Sequence, residues 1–456
     1  MKIIKNGNVS VSKLIEKRDF DSENFFRLSD FAYMFSTEEH HLIQYTLTGM
    51  LVEFSDDEWS VINNLQDHQI KGYELDKSGL SELIRKRVIV ESDTDEYQHY
   101  SLVVHVLKTM SNKNDGVKSY IILPTTACNA RCIYCYEEGM PYHTMSIDTA
   151  DNVVDFICRT RRSDEISIIW FGGEPLSARH VISHICRKLN EKNISFRSKV
   201  VTNATLLTKE LVAEAKETWH LKSVQVSVDG NRHDYELRKN YYNPSLYNYT
   251  SMMNALSYLL DAGIKVSVRC NYDSGNLSGM KEFLEDIKIR FGNAQNLFIY
   301  FAMLFQEKNK KESVVLQKEL INLIRHFHET GMKIIGFIDK DYRLKANCCM
   351  ADSEGKSVVI EPNGYLYHCE HLPTNTPFGN IRDENVKISS DNRVNIEAHD
   401  KCRRCCFLPC CTPFFRNGCP DWFEYCYEFK CIEMDYMLER LILGKSVISS
   451  DEETDE

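Results

Sequence analysis

Two stretches of the chain alternate apolar and polar residues. Val224, Val226 and Val228 alternate with Gln225, Ser227 and Asp229, and Val266, Val268 and Cys270 alternate with Ser267, Arg269 and Asn271. Successive side chains of a strand point to opposite faces, so each stretch predicts a strand with one apolar and one polar face. They belong to a longer series: "KSYIILPT", "EISIIWFGG", "SKVVTNAT", "KSVQVSVDG", "KVSVRCNY" and "NLFIYFAML", spaced by helix-length segments between 118 and about 305. Several of these segments end at a glycine, as at Gly263, Gly292 and Gly331. Six β/α repeats predict an α/β fold with a parallel, barrel-like sheet. A closed barrel fills its interior with branched apolar side chains, so the polar parity predicts an incomplete barrel with a ligand cavity at its strand ends.

The first 110 residues follow a different pattern. In "SDDEW", Ser55 and Glu58 have capping-box spacing and start an amphipathic helix through Trp59, Val61, Ile62 and Leu65. The preceding "HHLIQYTLTGMLVEF" reads as strand, "LSELIRK" as a second short helix and "RVIVES" as another strand. Together they predict a small winged-helix-like module over 1–110, with "SNKNDG" (111–116) as linker. The sheet domain is expected over 118–335, a cysteine-dense domain over 336–445, and a disordered acidic tail over 446–456, ending "DEETDE".

The 456 residues are ample for a full enzyme core, and a net charge of −11 leaves no basic footprint for nucleic acid. No apolar run approaches a membrane span and the start has no signal-peptide h-region, so a cytoplasmic protein without membrane contact is expected. In such a compartment, an odd count of 17 cysteines in clusters points to metal or cluster ligation rather than disulfides.

Cys128, Cys132 and Cys135 stand in "CNARCIYC" with C-x3-C-x2-C spacing. Soft thiolates select zinc or iron-sulfur clusters; a structural zinc site closes with four ligands, whereas three thiolates leave one iron of a four-iron cluster open. The motif resembles the cluster loop of radical S-adenosylmethionine (SAM) enzymes, whose fold is a partial (β/α)6 TIM-type barrel with this loop after the first strand. The resemblance implies a [4Fe-4S] cluster bound by three Cys and SAM. Reductive cleavage of SAM to a 5′-deoxyadenosyl radical would follow, with flavodoxin or ferredoxin as reductant. It also implies cofactor-binding roles for Gly172, Gly173 and Glu174 in "FGGEP", Asn203 in "VTNAT", Ser227 and Asp229 in "VSVDG", and Arg238 in "HDYELRKN". In this family Glu174 would receive the cofactor's ammonium and Arg238 its carboxylate.

Farther on, "CCMADSEGKSVVIEPNGYLYHCEH" and "CRRCCFLPCCTPFFRNGCPDWFEYCYEFKC" resemble the SPASM extension of radical enzymes that modify peptides and proteins. By that resemblance Cys402, Cys405, Cys411 and Cys431 hold a distal auxiliary [4Fe-4S] cluster, and Cys349, Cys369 and Cys419 a nearer one. The spacing C-x2-C-x5-C-x7-C departs from the family's C-x2-C-x5-C-x3-C, so Cys348, Cys406, Cys410 and Cys426 are possible substitutes. A zinc ribbon on Cys402, Cys405, Cys411 and Cys431 is the structural alternative. Cys158 and Cys186 in helix-like stretches and Cys270 on an apolar strand face read as packing residues.

Together these resemblances imply a maturase acting on a ribosomally made precursor peptide and forming a Cys thioether or other radical crosslink. The N-terminal module would act as a recognition element for the peptide's leader, or else as a packing extension of the barrel. A formylglycine-forming maturase of the anaerobic sulfatase type is the alternative enzyme, and a zinc-binding or electron-transfer protein the alternative that is no enzyme. Glu370, directly after Cys369, stands where sulfatase maturases carry a catalytic Asp, which makes it the candidate base.

Overall fold

The computed structural model describes residues 1–111, 116–304, 311–335, 342–346, 356–370, 376–388, 398, 400–411 and 425–444. Cys348, Cys349, Cys419, most of the expected linker and the acidic tail lie outside the described residues. The chain forms two compact units: Asn114–Gly336 with Met350–Val394, and Met1–Lys113 with Phe337–Cys349 and Asn395–Glu456. The segment read as one cysteine-dense domain, 336–445, is thus divided between them.

The first of these units is built on six parallel strands that neighbour one another in chain order: Ser119–Thr125, Glu165–Gly172, Ser195–Thr202, Leu221–Val228, Lys265–Tyr272 and Leu297–Met303. Between them run amphipathic helices, several with side-chain caps. Ser146 accepts Thr149 N–H at 3.1 Å ahead of Ile147–Thr160, and Thr208 accepts Leu211 N–H at 3.2 Å ahead of Lys209–Thr218. The alternation in the sequence decides the faces. Val224 pairs with Val266, Val226 with Val268 and Val228 with Cys270, and all six are buried. Three further strands, Ser357–Ile360, Tyr365–Tyr367 and Gly379–Asn380, extend the sheet beyond Ser119–Thr125, the first of them in parallel.

The second unit contains an antiparallel sheet in the order Lys2–Lys5, Met50–Phe54, His41–Tyr45, Ala32–Ser36, and a three-stranded sheet of Ile70–Lys71, Phe25–Leu28 and Ile89–Glu91. The run read as one strand-like stretch is therefore a hairpin, turned at Gly49, whose φ is +82°. Glu58 accepts the Ser55 N–H at 3.0 Å at the start of helix Asp56–Asp67, as the capping-box spacing predicts. Helices Val9–Ile15, Gly72–Lys77, Ser81–Arg85 (the one expected from "LSELIRK") and Glu96–Ser111 complete this stretch. Its core is shared with the chain's other end. Tyr33, Phe35, Leu42 and Leu51 pack with Tyr342, Cys406, Phe407, Cys410, Met434 and Met437. No helix among the described residues is long and apolar enough to cross a membrane.

Candidate functional site

The cysteine loop leaves the first parallel strand and is stitched to the end of helix Arg232–Lys239. Arg131 N–H donates to Lys239 O at 2.9 Å and Ile133 N–H to Arg238 O at 3.1 Å, while the Tyr242 hydroxyl donates to Cys128 O at 2.7 Å. Cys128 and Cys132 are half-buried and Cys135 is exposed. Burial first, then the neighbouring Glu174 carboxylate, pushes the Cys128 thiol up to about 12. Burial raises Cys132 and Cys135 too, against the opposing field of Lys239. Three thiols held neutral in this way need a strong local cation to become ligands, which the irons of a cluster provide. The donor set fits three-thiolate ligation of such a cluster. Among the described residues, no three His, Cys, Asp or Glu side chains stand close enough to hold one metal ion, at this loop or among the later cysteines.

The Gly172-Gly173-Glu174 turn packs directly on this loop. A Cβ on Gly173 would stand 2.5 Å from both Thr126 O and Ala127 O, so only glycine lets the two backbones approach. Glu174 N–H then donates to Ala127 O at 2.9 Å. The Glu174 carboxylate is fully buried and accepts from Leu176 N–H at 3.1 Å, the Thr202 hydroxyl at 2.7 Å and Asn203 N–H at 2.9 Å. Burial raises its pKa and those hydrogen bonds partly offset the rise. Asn203 donates to Asn129 Oδ1 at 2.7 Å and accepts from the Thr205 hydroxyl at 2.7 Å, tying the third strand's end to the cysteine loop.

At the fourth strand's end, Asp229 and Lys239 form a buried ion pair of 3.0 Å, with side chains 0% and 2% exposed. Burial alone would push the Lys239 ammonium down, but Asp229 together with Tyr134, Cys132 and Tyr235 more than offsets it and the net shift is upward. The ammonium also donates to Ser227 Oγ at 2.9 Å and to the Tyr134 hydroxyl at 3.0 Å, and Tyr134 donates to Asp229 Oδ1 at 2.5 Å. Arg238 is forked onto Asp273 by two hydrogen bonds of 2.8 and 2.5 Å. The structure thus brings Cys128, Cys132, Cys135, Gly172, Gly173, Glu174, Asn203, Ser227, Asp229 and Arg238 to one end of the parallel strands. Sequence reasoning missed Asn129, Tyr134, Thr202, Thr205 and Lys239. Tyr134 carried a signal, lying between two of the cysteines, whereas Lys239 looks like any helix-surface lysine.

Cys369 and Glu370 follow strand Tyr365–Tyr367, with the thiol 3.3 Å from Glu370 Oε2. Tyr136, next to Cys135, senses them: burial, then the charges of Glu137, Glu370, Cys135 and Cys369, raise its phenol. Burial also pushes Glu137 up to about 7.

The later cysteines belong to the other unit. Cys426 opens helix Cys426–Ile442, and burial, with the fields of Cys405, Cys402 and Cys411 against that of Lys430, pushes it up to about 11. A hydrogen bond from the Cys406 thiol holds Cys405 down at about 6. Cys431 is hydrogen-bonded to Tyr33 and Tyr427. Cys406 and Cys410 are buried core residues, as are Cys186 and Cys270, while Cys158 is half-buried.

Comparison with known proteins agrees with this geometry. A family model described as Radical SAM superfamily matches residues 122–287. The chain is 30% identical over 275 residues to an uncharacterized protein of Methanocaldococcus jannaschii, covering 59% of this chain and 91% of that protein. It is 22% identical over 319 residues to the antilisterial bacteriocin subtilosin biosynthesis protein AlbA of Bacillus subtilis, covering 67% of this chain and 63% of that protein. Its fold resembles that of native anSMEcpe with bound AdoMet and Cp18Cys peptide, at a TM-score of 0.56 and 20% identity, covering 73% of this chain and 99% of that one.

Proposed function

The chain belongs to the radical SAM superfamily, and on that premise we propose that it is a maturase that joins a Cys sulfur to carbon in a ribosomally made precursor peptide. The observation that carries this reading is the second group of thiols, in which Cys402, Cys405 and Cys411 act on Cys426 and Cys405 acts on Cys431. A peptide thiol and a departing electron both call for a second cluster. The bacteriocin-biosynthesis relative supports a peptide substrate.

When bound, the [4Fe-4S] cluster and SAM supply the 5′-deoxyadenosyl radical that takes a substrate hydrogen, and auxiliary clusters supply an acceptor for the electron released. The chain's own residues bind and orient. Cys128, Cys132 and Cys135 hold the first cluster. Gly172 and Gly173 let backbone approach SAM, and Glu174, with three of its acceptor sites used, has one left for the cofactor's ammonium. Asn203, Ser227 and Asp229 would line the cofactor site. Arg238 takes the cofactor carboxylate by leaving Asp273, which holds it pre-aimed. Cys349, Cys369 and Cys419 belong to the nearer auxiliary cluster, and Glu370 beside it takes the substrate proton. Six parallel strands in chain order are the frame of a partial barrel, and residues 1–110 recognise the leader. Flavodoxin or ferredoxin supplies the electrons in the cytoplasm.

The test is anaerobic reconstitution with SAM, reductant and a Cys-containing peptide encoded beside the gene. The proposal expects 5′-deoxyadenosine together with a peptide that has lost two hydrogens and kept its sulfur. A product that has lost the sulfur would replace the crosslink with formylglycine chemistry.

A further inference from the structure

Helices Val9–Ile15 and Glu96–Ser111 flank an open recess of about 160 Å³ within the N-terminal module. That is room for one apolar side chain, on the scale of the ~150 Å³ cavity that holds a benzene ring. Ile15, Leu47 and Val103 give it a buried apolar floor, and Leu14 and Leu102 line it while 44% and 59% exposed. Exposed leucines facing a recess are an incomplete apolar surface.

Lys17 is neutralised by Glu91 at 2.5 Å and Glu96 by Arg27 at 2.8 Å. Arg87 is left over. Its guanidinium donates to His99 Nδ1 at 2.9 Å, and no carboxylate of the described residues lies within ion-pair distance of it. The backbone at Arg87 is also unusual. Its N–H bonds Ile84 O at 3.0 Å and the Val88 N–H bonds Leu83 O at 2.9 Å, the hydrogen-bond pattern that ends a helix on a left-handed residue. Glycine is the default there, yet the residue is an arginine at φ +61°. The helix it closes, Ser81–Arg85, has five residues, too few for its dipole to account for a cation at this place.

We infer that this recess is an anchor site for the precursor peptide, taking an apolar side chain against Ile15, Leu47 and Val103 and a neighbouring Asp or Glu carboxylate on Arg87. The inference rests on the peptide-substrate reading and adds where, and through which chemistry, the leader is held. A carboxylate on a guanidinium gives orientation as well as attraction, and the apolar floor gives the contact area.

The test uses the full chain and a display library of short randomised linear peptides. Enriched sequences are expected to place Asp or Glu within a residue or two of Leu, Ile, Phe or Met. A synthesised winner is expected to bind Arg87→Gly and Arg87→Glu about tenfold more weakly or worse, the scale of one lost charged pair. Its Asp→Asn analogue should bind wild type more weakly but Arg87→Gly no differently, since the two changes remove one interaction. Arg87→Gly relaxes the left-handed backbone, so its thermal midpoint should hold or rise, which separates lost binding from lost folding. Winners that bind wild type and Arg87→Gly equally overturn the site, as does a library with no enrichment. Either result leaves the maturase reading to stand or fall on its peptide product.

Discussion

Two clusters of cysteines, at 128–135 and at 402–431, are built on opposite principles. The loop of Cys128, Cys132 and Cys135 is held by polar contacts: backbone hydrogen bonds to Arg238 and Lys239, the Gly173 close approach and the buried Asp229–Lys239 pair. The described residues around Cys402–Cys411 and Cys426–Cys431 are held by packing. Cys406 and Cys410 sit in a core with Phe407, Met434 and Met437, while Cys402, Cys405 and Cys411 act on the Cys426 thiol. Where polar geometry fixes a loop, ligand spacing is local and readable. Where packing and ligation share one residue type, spacing alone cannot sort them, and burial has to.

The sharpest way to break the first half of this comparison is Gly173→Ala. Its Cβ would collide with Thr126 O and Ala127 O, pushing the cysteine loop out of place. SAM cleavage should fall on the order of 10²-fold, the scale of a 1 Å misplacement, while iron content after reconstitution stays near wild type. Lys239→Met comes next. It leaves the Asp229 carboxylate buried without its cation, so denaturant unfolding should show a loss of about 3–5 kcal/mol, and Asp229→Asn added to it should recover part of that loss. Cys406→Ala and Cys426→Ala test the second half. The first should keep its iron and lose about 1 kcal/mol, whereas the second should lose auxiliary-cluster iron. Iron loss from Cys406→Ala would erase the distinction between core and ligand. Smallest is Glu370→Gln. A thiol bound to cluster iron loses its proton readily, so product formation should slow modestly, well short of the ~10² to 10⁴-fold of a lost general base.

Much of the parallel unit was legible because its signals are local. Alternation along 224–229 and 266–271 places the strands and decides their buried faces, and Ser55 with Glu58 marks a helix start. What was not legible depends on distance along the chain. Lys239 lies ten residues beyond Asp229 and reaches it only because helix Arg232–Lys239 turns back over the strand end. The sharing of one core by Tyr33, Phe35 and Leu42 with Phe407 and Met434 leaves no trace in spacing, since an apolar strand face does not say what covers it. The N-terminal module thus shares its core with Cys406, Phe407 and Met434, and deleting residues 1–110 would expose Phe407 and Met434.

The central claim is that Cys128, Cys132 and Cys135 hold the cluster that cleaves SAM, apart from clusters held later in the chain. Iron and 5′-deoxyadenosine measured together on wild type and on the triple Ala variant of these cysteines test it directly. The account predicts about twelve irons per chain in wild type, as three four-iron clusters require, and about four fewer in the variant, with 5′-deoxyadenosine abolished and the fold retained by circular dichroism. A variant that still forms 5′-deoxyadenosine would contradict it.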